Sequence, residues 1–257
     1  MQKTILITGC SSGIGLVAAK DLLARGYHVI AACRKADDVA RMDSLGFTGL
    51  QLDLDDPDSV DRAADRVLAL THGRLFALFN NAGFGTYGPL NTLTRQQLEK
   101  QFSSNVFGTH QLTLRLLPAL KAWGNARIIN TSSVLGIIST PGRGAYAASK
   151  YALEAWSDAL RMELHTSGVR VSLIEPGPIH TRFTDNVTQG EQDNPVQNPG
   201  LAASFTLPPE AILPKLRHAL ESNHPRLRYP VTLVAHVMSL LKRLLPGWIL
   251  DRIIRSQ

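Results

Sequence analysis

The chain has 257 residues, 44% hydrophobic and 19% charged, with a formal net charge of +6. That is long enough for one three-layer α/β domain with a substantial core and ordinary for a soluble globular protein. Its two cysteines, Cys10 and Cys33, exclude a disulfide framework and suit a reducing cytoplasm, with both read as small buried residues. Met1 stands two residues before the first strand, so a cleaved secretory leader would remove that strand.

Residues 4–8 form a short apolar strand that runs into Gly9-Cys10-Ser11-Ser12-Gly13-Ile14-Gly15 and then an apolar-periodic helix over 16–25. A strand, a glycine turn and a helix start make a pyrophosphate cradle, because a Cβ would keep the phosphates from the helix N-terminal N–H groups. The second strand, 28–33, ends on Arg34-Lys35 where an NAD enzyme usually places a carboxylate for the adenosine ribose. A third strand over 49–53 delivers Asp53 and Leu54, and a fourth over 75–80 leads into Asn80-Asn81-Ala82-Gly83. Asn105 lies in the next helical stretch. Strand 127–131 closes on Ser132-Ser133, Tyr146 and Lys150 open a helix, and strand 169–175 precedes Pro176-Gly177-Pro178-Ile179-His180-Thr181. With a last strand at 226–230, the alternation predicts about seven parallel strands in a doubly wound, Rossmann-like sheet covered by helices on both faces.

The spacing Thr-Gly-x-x-x-Gly-x-Gly, the Asn-Asn-Ala-Gly run, Asn105, Ser133, Tyr-x-x-x-Lys and Pro-Gly-Pro occur in one order over most of the chain. Together they resemble the short-chain dehydrogenase/reductase family, within the branch of bacterial aldehyde reductases, 17β-hydroxysteroid and retinol dehydrogenases. The resemblance implies a nicotinamide cofactor held by Gly9, Ser11, Ser12, Gly13, Ile14, Gly15, Leu54, Asn81, Ala82, Gly83, Tyr146, Lys150, Pro176, Gly177 and Ile179. It also places Asp53 on the adenine amino group and Thr181 on the nicotinamide carboxamide; the alternative readings are a helix-capping or surface aspartate and an N-cap for the following segment. NADP(H) is favoured over NAD(H), since Arg34 offers a planar fork and Lys35 a second charge to a 2′-phosphate. Against that, Asp37 and Asp38 stand nearby, and some NADP-specific members carry a basic residue where this chain has Ser12.

The chemistry expected is proton delivery to a carbonyl oxygen as hydride reaches its carbon. Tyr146 is the donor, and its phenol, ordinarily near ~10, must fall to serve in both directions. Lys150, one helical turn on, is expected to lower it, and Ser133 to donate a hydrogen bond to the developing oxyanion. The resemblance gives Asn105 the water that links Lys150 to solvent. His180 and Ser133 lack the elbow and acid of a hydrolase triad, and the scattered histidines suggest no metal. The competing class is a non-catalytic NADP(H)-binding sensor or scaffold.

Phe84, Tyr87, Val134, Leu135, Ile137 and Ile138 flank these motifs and could line a pocket for a lipophilic aldehyde, ketone or alcohol of fatty, retinoid or steroid character. The stretch 182–214, punctuated by Phe183, Leu201, Phe205 and Leu207, reads as a lid. The sequons at Asn130 and Asn186 are read as coincidental. Residues 201–257 hold eight Lys plus Arg against three Asp plus Glu, so most of the positive excess is in the tail. Over 231–255 that tail is amphipathic, broken at Pro246-Gly247 and too interrupted by Lys242 and Arg243 to span a bilayer. Packing on the domain or a second subunit, covering the substrate mouth, and a peripheral membrane contact are the readings left open for it. A cytoplasmic homodimer or homotetramer is expected, with no nucleic-acid partner.

Overall fold

The computed structural model of the chain describes residues 2–183, 188–189 and 205–255. Leu201 and most of the stretch read as a lid fall outside those residues, as do Asn186 and Val187. In chain order the first half runs β1 (Thr4–Thr8), α1 (Gly13–Ala24), β2 (His28–Cys33), α2 (Ala36–Ser44), β3 (Thr48–Gln51), α3 (Pro57–Leu70) and β4 (Ala77–Asn80). Then come a short β5 (Thr86–Tyr87), α4 (Arg95–Phe102), a π-helical segment (Ser103–Gly108), α5 (Thr109–Trp123), β6 (Arg127–Thr131) and a 3₁₀ turn (Val134–Gly136). Helix α6 (Gly144–Glu163), β7 (Arg170–Glu175) and β8 (Thr188–Gln189) precede α7 (Leu213–Glu221), β9 (Arg228–Pro230), α8 (Leu233–Leu244) and α9 (Gly247–Arg255).

Seven strands form one parallel sheet in the order β3-β2-β1-β4-β6-β7-β9. The chain reverses direction across the sheet between β1 and β4, with Ile5 opposite Val29 on one side and Ala77 on the other. At such a switch point the loops after adjacent strands diverge and leave a crevice at their carboxyl ends. Successive side chains of β1 alternate between faces. Ile5 and Ile7 pack with Ala18 and Leu22 of α1 and Leu216 of α7, whereas Leu6 joins Val60 of α3 and Leu112 and Leu116 of α5. Both faces are therefore dry, which is why the central strands read as continuous apolar runs.

Element ends differ from expectation where side-chain or helix contacts divert the backbone. Leu75 donates its N–H to Ala119 O of α5 rather than to the ladder, so β4 starts at Ala77 and not at residue 75. β3 stops at Gln51 because Asp53 N turns to Ser59 Oγ at 3.0 Å. Helix α1 takes Gly13 and Ile14 into its first turn. Helix α3 starts on an Asp56 cap followed by Pro57, and α4 on a Thr94–Gln97 capping box.

Candidate active site

A cavity of about 1350 Å³ opens at the carboxyl ends of β1, β2, β4 and β6. Its nucleotide end is built by backbone packing. Gly9 has φ of +74°, and a Cβ there would lie 2.9 Å from Ala82 Cα, so the glycine turn can close on the loop after β4 only without a side chain. Thr8, buried at the end of β1, clamps that approach: its Oγ1 accepts from Asn81 N at 3.0 Å and Ala82 N at 2.9 Å, while Asn81 Nδ2 donates to Thr8 O. Ser12 begins α1 without a side-chain cap, and no acidic residue occupies its first turn. Ser11, Ser12, Gly13, Ile14, Ala82 and Gly83 line the cavity, whereas Gly15 is buried beneath the turn.

Arg34 and Lys35 are exposed on the rim of this end and form no ion pair among the described residues. Of the two carboxylates expected to offset them, Asp38 is engaged elsewhere, pairing with Arg41 at 2.9 Å while Arg41 also donates to Ser11 O, and Asp37 forms no ion pair among the described residues. Asp53 and Leu54 line the wall, and Asp53 Oδ1 also accepts from Asp55 N at 3.0 Å, the local contact that its alternative reading expects. A narrow glycine cradle, an uncapped helix start and two unpaired cations together fit a dinucleotide bearing an extra phosphate.

The other end of the cavity gathers side chains from three elements. Ser133 caps the 3₁₀ turn, its Oγ accepting from Leu135 N at 3.1 Å. Tyr146 lies in the first turn of α6 with its ring 6.1 Å from Tyr87 and 5.4 Å from Phe183. Lys150 follows one turn later with Nζ 5.7 Å from the Tyr146 ring centroid, donating to Thr131 O at 2.8 Å. Asn105 is buried in the π-helical segment and does not line the cavity. Its Nδ2 donates to Phe84 O and to Ser149 Oγ, both at 3.1 Å, and its Oδ1 accepts from Phe84 N. A Cβ on Gly83 would stand 3.1 Å from Asn105 Oδ1 and 3.6 Å from Lys150 Nζ, so the glycine marks where the two meet. The local widening of the helix to a π turn is a common feature at functional sites.

The electrostatics correct one expectation. Burial, then the neighbouring Tyr87, pushes the Tyr146 phenol well up, opposed by a hydrogen bond from Ser133 and by Arg143. Lys150 is buried as well, with its ammonium directed at the Thr131 carbonyl, and burial pulls its own pKa down to about 8, against the pull of Glu154. Behind the catalytic turn lies a buried acidic pair that the motifs did not suggest. Arg228 on β9 reaches Glu154 at 3.0 Å, Glu175 at 3.3 Å and Asp158 at 2.6 Å. Burial, then the charge of Glu154, raises Glu175 to about 7. Glu175 immediately precedes Pro176 and Gly177, so this network ties the end of β7 to the helix that carries Tyr146.

Pro176, Gly177, Ile179 and Thr181 line the cavity, and Pro176 O accepts from Val134 N at 2.8 Å. Thr181 Oγ1 accepts from Phe183 N at 3.2 Å, and a Cβ on Gly13 would meet the Thr181 side chain at 3.1 Å, so the loop folds over the glycine turn. Phe84, Tyr87, Val134, Leu135, Ile138 and Phe183 form the apolar wall; Ile137 packs behind it. Phe205 is a correction. Residues Ile179 and Leu207 pair as parallel strands do, and along an extended segment alternate side chains face opposite ways, which sends Thr206 into the wall and leaves Phe205 46% exposed. The tail completes the mouth: Val234, Met238 and Ile254 line the cavity, and Leu250 joins Tyr146, Leu135 and Met238 in one apolar cluster. Of the readings open for the tail, packing on the domain and covering the mouth are thus both met. His180 is exposed, and no group of metal-ligating side chains occurs among the described residues.

The chain is similar to known proteins. The short chain dehydrogenase family model matches residues 3–192. An uncharacterized oxidoreductase YbbO of Escherichia coli is 66% identical over all of this chain and 95% of its own length. An NADPH-dependent 3-dehydrocapnine reductase of Ornithobacterium rhinotracheale is 34% identical, covering 96% of this chain and 94% of its own. Human retinol dehydrogenase 5 is 35% identical over 97% of this chain and 87% of its own. A short chain dehydrogenase of Burkholderia cenocepacia solved in complex with NADP superposes with a TM-score of 0.81 at 25% identity, covering 99% of each chain.

Proposed function

The chain belongs to the short-chain dehydrogenase/reductase family and is an oxidoreductase, and from that premise we propose that it transfers hydride between NADP(H) and a lipophilic carbonyl or alcohol, acting mainly as an aldehyde or ketone reductase. The observation that carries this reading is the convergence of Ser133, Tyr146 and Lys150 at the apolar end of a cavity whose other end presents a glycine cradle and two unpaired cations.

A nicotinamide, when bound, would supply the hydride. Gly9, Gly13, Asn81 and Thr181 would hold its carrier between the glycine turn and the loop after β7, and Arg34 and Lys35 would take the 2′-phosphate. Ser133 Oγ holds the substrate oxygen beside the Tyr146 hydroxyl. Burial keeps the phenol protonated at neutral pH, the form that gives a proton to a nascent alkoxide. Lys150 and Asn105 carry a proton from solvent back to the Tyr146 phenolate along the side of Gly83. Phe84, Val134, Leu135, Phe183 and the tail residues Val234 and Met238 exclude water from the reacting carbon. The NADP in the Burkholderia complex and the NADPH named for the Ornithobacterium reductase support the cofactor choice. Replacing Tyr146 by Phe tests the chemistry: turnover should fall by roughly 10²–10⁴ with NADPH binding kept. Unchanged turnover would remove Tyr146 as the proton donor.

A further inference from the structure

The tail has a second face that the active site does not use. On α8, Leu233, Val237, Leu240 and Leu244 recur at helical spacing and are 62%, 42%, 57% and 68% exposed; Trp248, at the start of α9, is 70% exposed. The opposite side, with Ala235 and Met238, is buried against the domain. The helix is therefore apolar on both sides. A contiguous exposed apolar strip of this kind marks a surface that meets something apolar.

The charges around the strip select the occupant. Lys242, Arg243, Arg252 and Arg255 accompany it against the single carboxylate Asp251 in residues 233–255. Asp251 lies 3.7 Å from Arg255, Lys242 sits over the Tyr151 ring, and Arg252 and Arg243 form no ion pair among the described residues. Trp248, Asp251, Arg252 and Arg255 also line a shallow cleft of about 510 Å³ on the outer face of α9. A second copy would bring the same excess of four cations over one carboxylate to the contact and leave most of them unneutralised, whereas lipid phosphates would neutralise them. No helix among the described residues is long and apolar enough to cross a membrane.

We propose that the outer face of α8 and α9, the strip Leu233, Val237, Leu240, Leu244 and Trp248 with Arg243 and Arg252 beside it, docks on the surface of an anionic phospholipid bilayer. The helices lie in the plane of the interface, with the indole at headgroup level and the leucines below it. Because Val234, Met238 and Ile254 of the same two helices line the cavity, docking sets the substrate mouth beside the lipid. The binding surface is independent of the reaction proposed above and is tested without substrate.

The experiment is flotation of the full chain with vesicles of phosphatidylcholine alone or with phosphatidylglycerol, at low and high salt. Binding should be at least about ten-fold stronger to the anionic vesicles, weaken with salt, and shift the tryptophan emission to the blue. The pair Leu240→Glu and Leu244→Glu should abolish it with the melting temperature kept, and Arg243→Glu with Arg252→Glu should remove its preference for anionic lipid. Absence of wild-type binding to anionic vesicles, or binding unchanged in both pairs, would overturn the proposal. So would a concentration-dependent dimer lost in the leucine pair, which would give the face to a second copy.

Discussion

The two ends of the cavity are built by different physics. At the nucleotide end, positions are fixed by close backbone approach and short polar contacts from neighbouring segments: Gly9 against Ala82, and Thr8 Oγ1 on two N–H groups. At the substrate end, an apolar wall is assembled from the 3₁₀ turn, α6 and a tail about ninety residues further on, with Met238 and Leu250 packed on Leu135 and Tyr146. Contacts of the first kind admit one residue type each and leave a motif in the sequence. Those of the second kind admit many apolar residues of similar volume and leave none.

Substitutions should separate the two ends. The largest effect is expected at Lys150→Met, which should lower turnover by at least ~10²-fold while altering stability in a pH-dependent way. Burial draws the folded pKa of Lys150 from 10.5 to about 8, so its contribution to stability is present at high pH and is lost as pH falls through about 8. The Met variant lacks that loss, and its melting temperature should gain on the wild type from pH 10 to pH 7 by scanning calorimetry; a constant difference would mean the lysine is not desolvated. Next, Arg34→Asp should reduce the preference for NADPH over NADH by about 10–100-fold, the loss of one charge-assisted contact, without altering kcat for either. An unchanged ratio of kcat/KM values would leave Arg34 as a surface residue.

Met238→Ala should act at the other end alone. Truncating a side chain buried with Leu135, Tyr146 and Leu250 should cost about 2–3 kcal/mol and raise KM for lipophilic carbonyls, with the NADPH dissociation constant unmoved; a weakened NADPH affinity would join the two ends. The smallest effect is expected at Glu175→Gln. The folded pKa of Glu175 is raised from 4.5 to about 7, so the stability it lends is full below about 4.5 and is lost as pH rises through about 7. The variant should gain a few degrees on the wild type over that rise and then run parallel to it. Parallel curves throughout would show that Arg228 neutralises Glu175 and that Glu154 and Asp158 do not compete for it.

The same division explains what could be read from the chain. Seven strands, the glycine turn, Tyr146 with Lys150 and the break at Pro246-Gly247 were all legible, because period, glycine placement and spacing encode them locally. The strand ends were not, since Leu75 and Asp53 leave their ladders for partners that only the fold brings near. Thr8 was visible as the last residue of an apolar strand, but its clamp on residues 81 and 82 depends on contacts seventy-three and seventy-four positions apart. Nor does sequence distinguish Phe205 from Thr206 as a wall residue, because that turns on the register of Ile179 with Leu207. The pair Glu154 and Glu175, four residues after Lys150 and one before Pro176, could have been noticed beside those motifs; their shared arginine, on the edge strand β9, could not. Spacing places Lys150 beside Tyr146, as found, whereas the burial that pushes the phenol up and the direction of the ammonium, towards Thr131 O at the end of β6, are set by the fold.

The most direct measurement is the loss of reduced-nicotinamide absorbance by the purified protein with NADPH or NADH and a panel of aldehydes and ketones from short aliphatic to long-chain and polycyclic. Oxidation of NADPH, faster than of NADH and increasing with the lipophilicity of the carbonyl, is the predicted result. Tight NADPH binding with no turnover across the panel would contradict it and leave a nucleotide-binding sensor on the same fold.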